Sequence, residues 1–184
     1  LAGVGDANLR SGLWETLQGR SSWLFINLLT AVLASAVIGV FDATIEQLVA
    51  LAILMPIVAS MGGNAGTQTM TVAVRAIALR QLDAAATRQF VLRELIVATV
   101  NGLLFAALAA TLSYLWFGDQ NIAILMAVAM MANLLVAGLS GTFVPVGVMR
   151  VGVDPAVASS VFVTTITDVV GFFVFLGLAA LYLI

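Results

Sequence analysis

Charge is missing from this chain for about 20 residues at a time, the length at which an α-helix rising about 1.5 Å per residue crosses a bilayer core of about 30 Å. Residues 21–41, 47–74, 95–118 and 120–149 hold no Asp, Glu, Lys or Arg, and 155–184 holds one, Asp168. Lipid offers the backbone no hydrogen-bond partner, so a chain inside it must satisfy its own amides, as a helix does within one segment. The reading is an all-α membrane protein with five transmembrane helices, at approximately 21–41, 47–79, 90–117, 121–149 and 155–184. Composition agrees: 62% of residues are hydrophobic and 9% charged, against about 25% charged in soluble domains.

The arginines set a direction. All 7 basic residues are Arg. Arg10 and Arg20 precede the first span, Arg75, Arg80, Arg88 and Arg93 flank the second connection, and Arg150 lies in the fourth. By the positive-inside rule that side is cytoplasmic. The other connections carry Asp42, Glu46 and Asp119 and no basic residue. This predicts a cytoplasmic N-terminus and an external C-terminus; the membrane expected is a bacterial plasma membrane. Residues 1–20 lack a signal-peptide pattern and read as a cytoplasmic segment of a longer protein, leading into a pore domain over 21–184. Within it, "GLWETLQGRSSW" suggests a short amphipathic helix on the membrane surface. No internal repeat is visible, so any symmetry must come from a second copy.

Chemistry is restricted by what is missing. With no Cys and no His, thiolate and imidazole metal sites are ruled out, and any bound metal is a hard, oxygen-liganded cation. A net charge of -2 suggests no nucleic-acid partner, and nothing here reads as an enzyme.

Asp168 is the one carboxylate deep within a span. In a straight helix from Pro155 it lies about 20 Å in, near the midplane. An ionised group there costs at least about 2.5 kcal/mol, and such groups usually face protein interior or water and mark an ion path. Thr164 and Ser160 lie one and two turns back on the same face, and Gly171 lies one turn forward, giving a narrow polar stripe.

The segment "MPIVASMGGNAGTQTM", residues 55–70, places three glycines and two amides inside the second span. Counted from its cytoplasmic end, Gln68 and Asn64 fall about 17 and 22 Å deep, the depth expected for Asp168. Facing lipid, both amides would be costly. Gly62 and Gly66 form a small-xxx-small pair suited to close packing, and Pro56 suggests a kink. Asn101 and Asn133 read as interhelical hydrogen-bonding residues, and Gly138, Gly141, Gly147 and Pro145 as packing and bending positions. Glu94 with Arg93, and Asp83 with Arg80, read as interfacial charges.

These stretches, with "WLFINLLTAVLASAVIG" and "DPAVASSVFVTTITDVVGFFVF", strongly resemble the transmembrane domain of the MgtE magnesium channels, from about Trp23 to the end. The resemblance implies a homodimer with five helices per chain and a pore on the two-fold axis, lined by the second and fifth helices. It implies that Asp168 holds a hydrated Mg²⁺ and that the Thr164 carbonyl lines the same site. Ser160, Gly171, Asn64, Gln68, Gly62, Gly63 and Gly66 are the further pore-lining candidates. The partners expected are a second copy, membrane lipid and divalent cations. Full-length members carry cytoplasmic N and CBS domains that bind Mg²⁺ and close the pore, and neither is present here.

Three functions compete: a passive Mg²⁺ channel, a secondary transporter exchanging Mg²⁺ for Na⁺ or H⁺, and a non-transporting assembly subunit. The channel is favoured, because a relay needs a second intramembrane ionisable group and alternating access usually uses an internal repeat.

Overall fold

The structure, a computed structural model, describes residues 12–81 and 84–183. Arg10 and Asp83, and with them most of the segment before the first span and the expected Asp83–Arg80 pairing, lie outside the described residues. Among the described residues the chain is all helix: α1 (Leu13–Gly39), α2 (Asp42–Gln47), α3 (Ala50–Ala78), α4 (Ala84–Phe117), α5 (Gln120–Arg150) and α6 (Pro155–Tyr182). All but α2 are long and apolar enough to cross a membrane. The five expected spans are present, with three differences at their ends.

First, "LWETLQGRSSW" does not form a separate surface helix. It is the opening of α1, which is continuous from Leu13, so the charged lead-in extends the span instead of turning along the membrane. Second, α4 starts six residues earlier than position 90, at Ala84, because helical geometry persists where hydropathy falls and Arg88 and Arg93 appear. Third, the short α2 connects the first two spans.

Turn chemistry explains the tight connections. Gly118 adopts φ 68° after α4, a left-handed position that costs glycine little. Asp119 then caps α5 by accepting the Asn121 amide at 2.7 Å. The same device recurs after α5, where Gly152 has φ 78° and Asp154 accepts the Ala156 amide at 2.8 Å. Pro155 takes the first helical position, where its missing N–H costs nothing. Neither Pro56 in α3 nor Pro145 in α5 breaks its helix.

Helix α5 is the central post. It packs against α3, α4 and α6, whereas α3 and α4 barely meet each other. Lipid tails are as apolar as Leu, so helices in a membrane associate through close van der Waals packing and interhelical hydrogen bonds, and small residues permit the closest approach. The glycines provide it. A Cβ on Gly141 of α5 would lie 2.6 Å from the Gly66 carbonyl oxygen and 2.8 Å from Thr69 Cβ of α3. One on Gly138 would lie 2.8 Å from Ala98 Cβ of α4, and one on Gly102 of α4 would lie 2.5 Å from Met131 Sδ of α5. Beyond this zone Leu51, Leu54, Val58, Met126, Met130, Phe175 and Leu176 fill the bundle between α3, α5 and α6.

Helix α1 stands apart, packing along α6. Phe41, just after it, meets Phe173 of α6 edge-on, with ring centroids 5.9 Å apart. Leu24, Phe25, Leu28, Leu29, Val32 and Leu33 of α1 are exposed, as a lipid-facing surface requires.

Gly141→Ala should separate α3 from α5, since the atoms met are backbone and Cβ and cannot swing aside. A loss of about 1–3 kcal/mol is expected for such overpacking. Gly147→Ala, with nothing within 4 Å of the added atom, should cost nothing comparable. Thermal unfolding of both variants in one detergent checks the contrast.

Candidate functional site

Two contacts fix how α3 and α6 lie against each other. A Cβ on Gly66 would meet Val163 Cγ1 at 2.6 Å, and one on Gly63 would meet Thr164 Cγ2 at 3.8 Å. The helices are therefore antiparallel neighbours. At this contact Asn64 is about level with Thr164, and the register shifts further along α6, where Gly62 and Gly171 meet the same Asn133 side chain. At 1.5 Å per residue Gln68 lies about 6 Å closer to the arginine-bearing side than Asn64. The two amides are thus one turn apart along the membrane normal, beside the antiparallel helix that carries Asp168.

Side-chain direction sorts the candidates further. On α3, Ser60, Asn64, Thr67 and Thr71 are exposed, spaced by four, three and four residues along one helical face. On α6, Ser160, Thr164 and Asp168 are half-buried, one turn apart. Because α3 and α6 touch at Gly63 and Thr164, these two polar rows flank one another on an outward face of the chain. The Asn64 amide donates to Ser60 Oγ at 3.3 Å, and the Asp168 carboxylate makes no hydrogen bond to a described residue. Ser60, Thr67 and Thr71 were not singled out from sequence, although their spacing with Asn64 carries the signal.

The hydroxyls of α6 turn inward on their own helix. Thr164 Oγ1 donates to the Ser160 carbonyl at 3.0 Å, and Thr165 Oγ1 to the Val161 carbonyl at 2.6 Å. Thr167, fully buried, donates to the Thr164 carbonyl at 2.9 Å. The Thr164 carbonyl expected to face an ion thus already takes a hydroxyl within the helix.

Three candidates sit elsewhere. Gly62, Gly66 and Gly171 are buried inside the chain, so they build helix contacts and offer no surface to a path on the outward face. Gly62 and Gly171 clasp Asn133 of α5: a Cβ on Gly171 would lie 2.7 Å from Asn133 Nδ2, and one on Gly62 would run into the same amide. Asn133 Nδ2 donates to the Val58 carbonyl at 2.8 Å, the interhelical bond expected of it, while its Oδ1 is buried without a partner. Gln68 borders a crevice between α3 and α4, near Glu94 and Asn101. Gly63 is half-buried beside Thr164.

Among the described residues no cluster of three or more acidic side chains could hold a metal. A single carboxylate beside amides and hydroxyls is a sparse donor set, suited to a cation that keeps most of its water.

A profile of the MgtE family, described as divalent cation transporter, matches residues 55–178, the stretch that carries both polar rows. The chain belongs to the MgtE family. The chain is 34% identical over 164 residues to a magnesium transporter MgtE of Thermus thermophilus, covering 89% of this chain and 36% of that protein. A Bacillus subtilis magnesium transporter MgtE is 29% identical with the same coverage, and an Enterococcus faecalis one is 25% identical over 183 residues, 100% of this chain and 40% of that protein. The MgtE-family chain thus spans well under half the length of these curated relatives. With its five apolar helices it is an integral membrane protein.

The register is testable because the chain has no native Cys. Cysteines at Gly63 and Thr164 should form an intrachain disulfide on mild oxidation, whereas the pair Gly63 and Gly177, the latter about 20 Å from Thr164 along α6, should not. Gel mobility after protease cleavage between α3 and α6 reads the result.

Proposed function

We propose that this chain is the pore domain of a homodimeric Mg²⁺ channel, conducting hydrated Mg²⁺ along the polar face shared by α3 and α6. The observation that supports it is the position of Asp168: half-buried, in one row with Ser160 and Thr164 on the helix that meets α3 beside its exposed Ser60–Asn64 row, and unpaired within the described chain. A carboxylate and amides at this depth are expensive against lipid, so this face requires water or protein. A second copy related by a two-fold axis supplies both, since an isologous interface brings the same face of each copy together. It also doubles Asp168, setting two negative charges about one divalent cation.

Two carboxylates cannot complete the six-oxygen shell of Mg²⁺, which gives up water reluctantly. Recognition is therefore largely outer-sphere: Asp168 bonds to coordinated waters, and the Asn64, Ser60 and Thr67 side chains bond to others along the path. Such a site reads the size and charge of a hydrated divalent cation, and the looser shell of Ca²⁺ fits it less well. The divalent cation transport that describes the family and the magnesium transport that names the relatives support the choice of ion. The clustering of arginines at one end supports a cytoplasmic N-terminus, and the bacterial origin of the relatives supports a bacterial plasma membrane.

Asp168→Asn preserves size but removes two charges per dimer. It should lower Mg²⁺ affinity at least tenfold in calorimetry while leaving the thermal midpoint nearly unchanged, and cobalt hexammine, which cannot exchange its ligands, should compete with Mg²⁺ on the unaltered protein. Undiminished binding by the variant would move the site away from Asp168. Single-dimer recordings in planar bilayers separate discrete openings from the small coupled flux of an exchanger.

Orientation has its own test. Single cysteines at Asp119 and Gln81 should be labelled by an impermeant thiol reagent from opposite sides of the membrane; labelling from one side contradicts the five-span topology.

A further inference from the structure

Helices α3 and α4 both lie on α5 without packing closely on each other, and the wedge between them is a crevice of about 270 Å³ floored by Leu134 and Gly138. Its walls are not uniformly apolar. Arg93 and Glu94 stand where the uncharged run of α4 begins, at the level of the membrane surface; Gln68, next to Thr69, stands at about the same level, and Asn101 borders the deeper part. Asn101 lies about 10 Å further in than Glu94. Gln68 and Asn101 are exposed and bond to no described residue, although an unpartnered amide at the depth of Asn101 is costly. Glu94 is held in place by the Thr69 hydroxyl, which donates to its Oε2 at 2.8 Å, leaving Oε1 free to accept. Arg93 makes no ion pair with a described residue.

We infer that this crevice binds one phospholipid of the arginine-side leaflet, with a primary amine in its headgroup. The order of groups down the wall follows that of the lipid. Arg93 donates to the phosphate, and Glu94 accepts from the ammonium at the same level. The Gln68 amide donates to a phosphate or glycerol-ester oxygen at about that level, the Asn101 amide donates to an ester carbonyl below, and the acyl chains run over Val97 and Ala65. Lipid is chosen over a second copy because the proposed pore turns the shared face of α3 and α6 toward the two-fold axis, leaving the α4 side of α3 at the periphery. Exposed Ile96, Val100, Leu103 and Leu104 on α4 continue that lipid-facing surface. In this one respect the inference rests on the proposed function.

Native mass spectrometry of the purified chain, mixed with phosphatidylethanolamine, phosphatidylcholine or phosphatidylglycerol of identical acyl chains, tests it. Phosphatidylethanolamine should be retained at least fivefold better than the other two, because quaternised nitrogen has no N–H for Glu94 and phosphatidylglycerol has no nitrogen. Glu94→Gln can still accept from Thr69, so the fold is kept, and it should erase the preference. Asn101→Leu should reduce retention of all three. Equal retention of the three lipids by the unaltered chain, or a preference that survives Glu94→Gln, overturns the inference. So does disulfide linkage of two copies through Val97→Cys, which would put a second chain in the crevice. The Asp168 measurements are made independently, so failure here leaves the pore reading standing, and failure of that reading is visible without the lipid experiment.

Discussion

Helix α5 approaches α3 so closely at Gly141 that a methyl group would strike the backbone of its neighbour, and the rest of the bundle is arranged around that proximity. Inside a membrane there is no general hydrophobic gain from bringing two apolar helices together, so contact must come from shape and from polar bonds that lipid cannot replace. Glycines and alanines on α3, α4 and α5 provide the shape. Asn133 provides the bond, reaching from α5 to the Val58 carbonyl while occupying the space left by Gly62 and Gly171. One asparagine thereby ties the two helices that carry the proposed ion path to the same support.

This arrangement explains why the polar groups of α3 lie on two separate surfaces. The side of α3 toward α5 is filled with small and apolar residues, so Ser60, Asn64 and Thr67 are turned outward beside Asp168, and Gln68 is turned toward α4. A residue four positions on in an α-helix is rotated by about 40°. That small drift is enough to carry Gln68 from the outward face to the edge of the α4 crevice.

The five spans were legible because charge-free runs of bilayer length rarely arise in a chain that stays in water. Asp168 was legible for a related reason, as the lone carboxylate within them. The family was legible from the glycine and amide segment together with the Asp168 helix. Helix α2 was not, since six residues are too few to show a period. The early start of α4 was missed because hydropathy reports where a bilayer begins and not where a helix does. The glycines were the least legible: Gly62, Gly66 and Gly171 gave the same signal as Gly63, but these helices are apolar around most of their circumference, and sequence alone does not fix their rotation. Only packing against Asn133 and Val163 decides it.

Helix α1 runs unbroken from Leu13 to Gly39 and rests on α6, the helix that carries Asp168. Helices α3 and α4 are both braced directly by α5, but α1 is attached chiefly through α6. A tilt applied to its arginine-side end is transmitted along a stiff rod, about 40 Å long at 1.5 Å per residue, to the Phe41–Phe173 contact on α6 beyond Asp168. Since α6 is the chief neighbour of α1, such a force would reach the helix that carries Asp168 before it reaches α3 or α4.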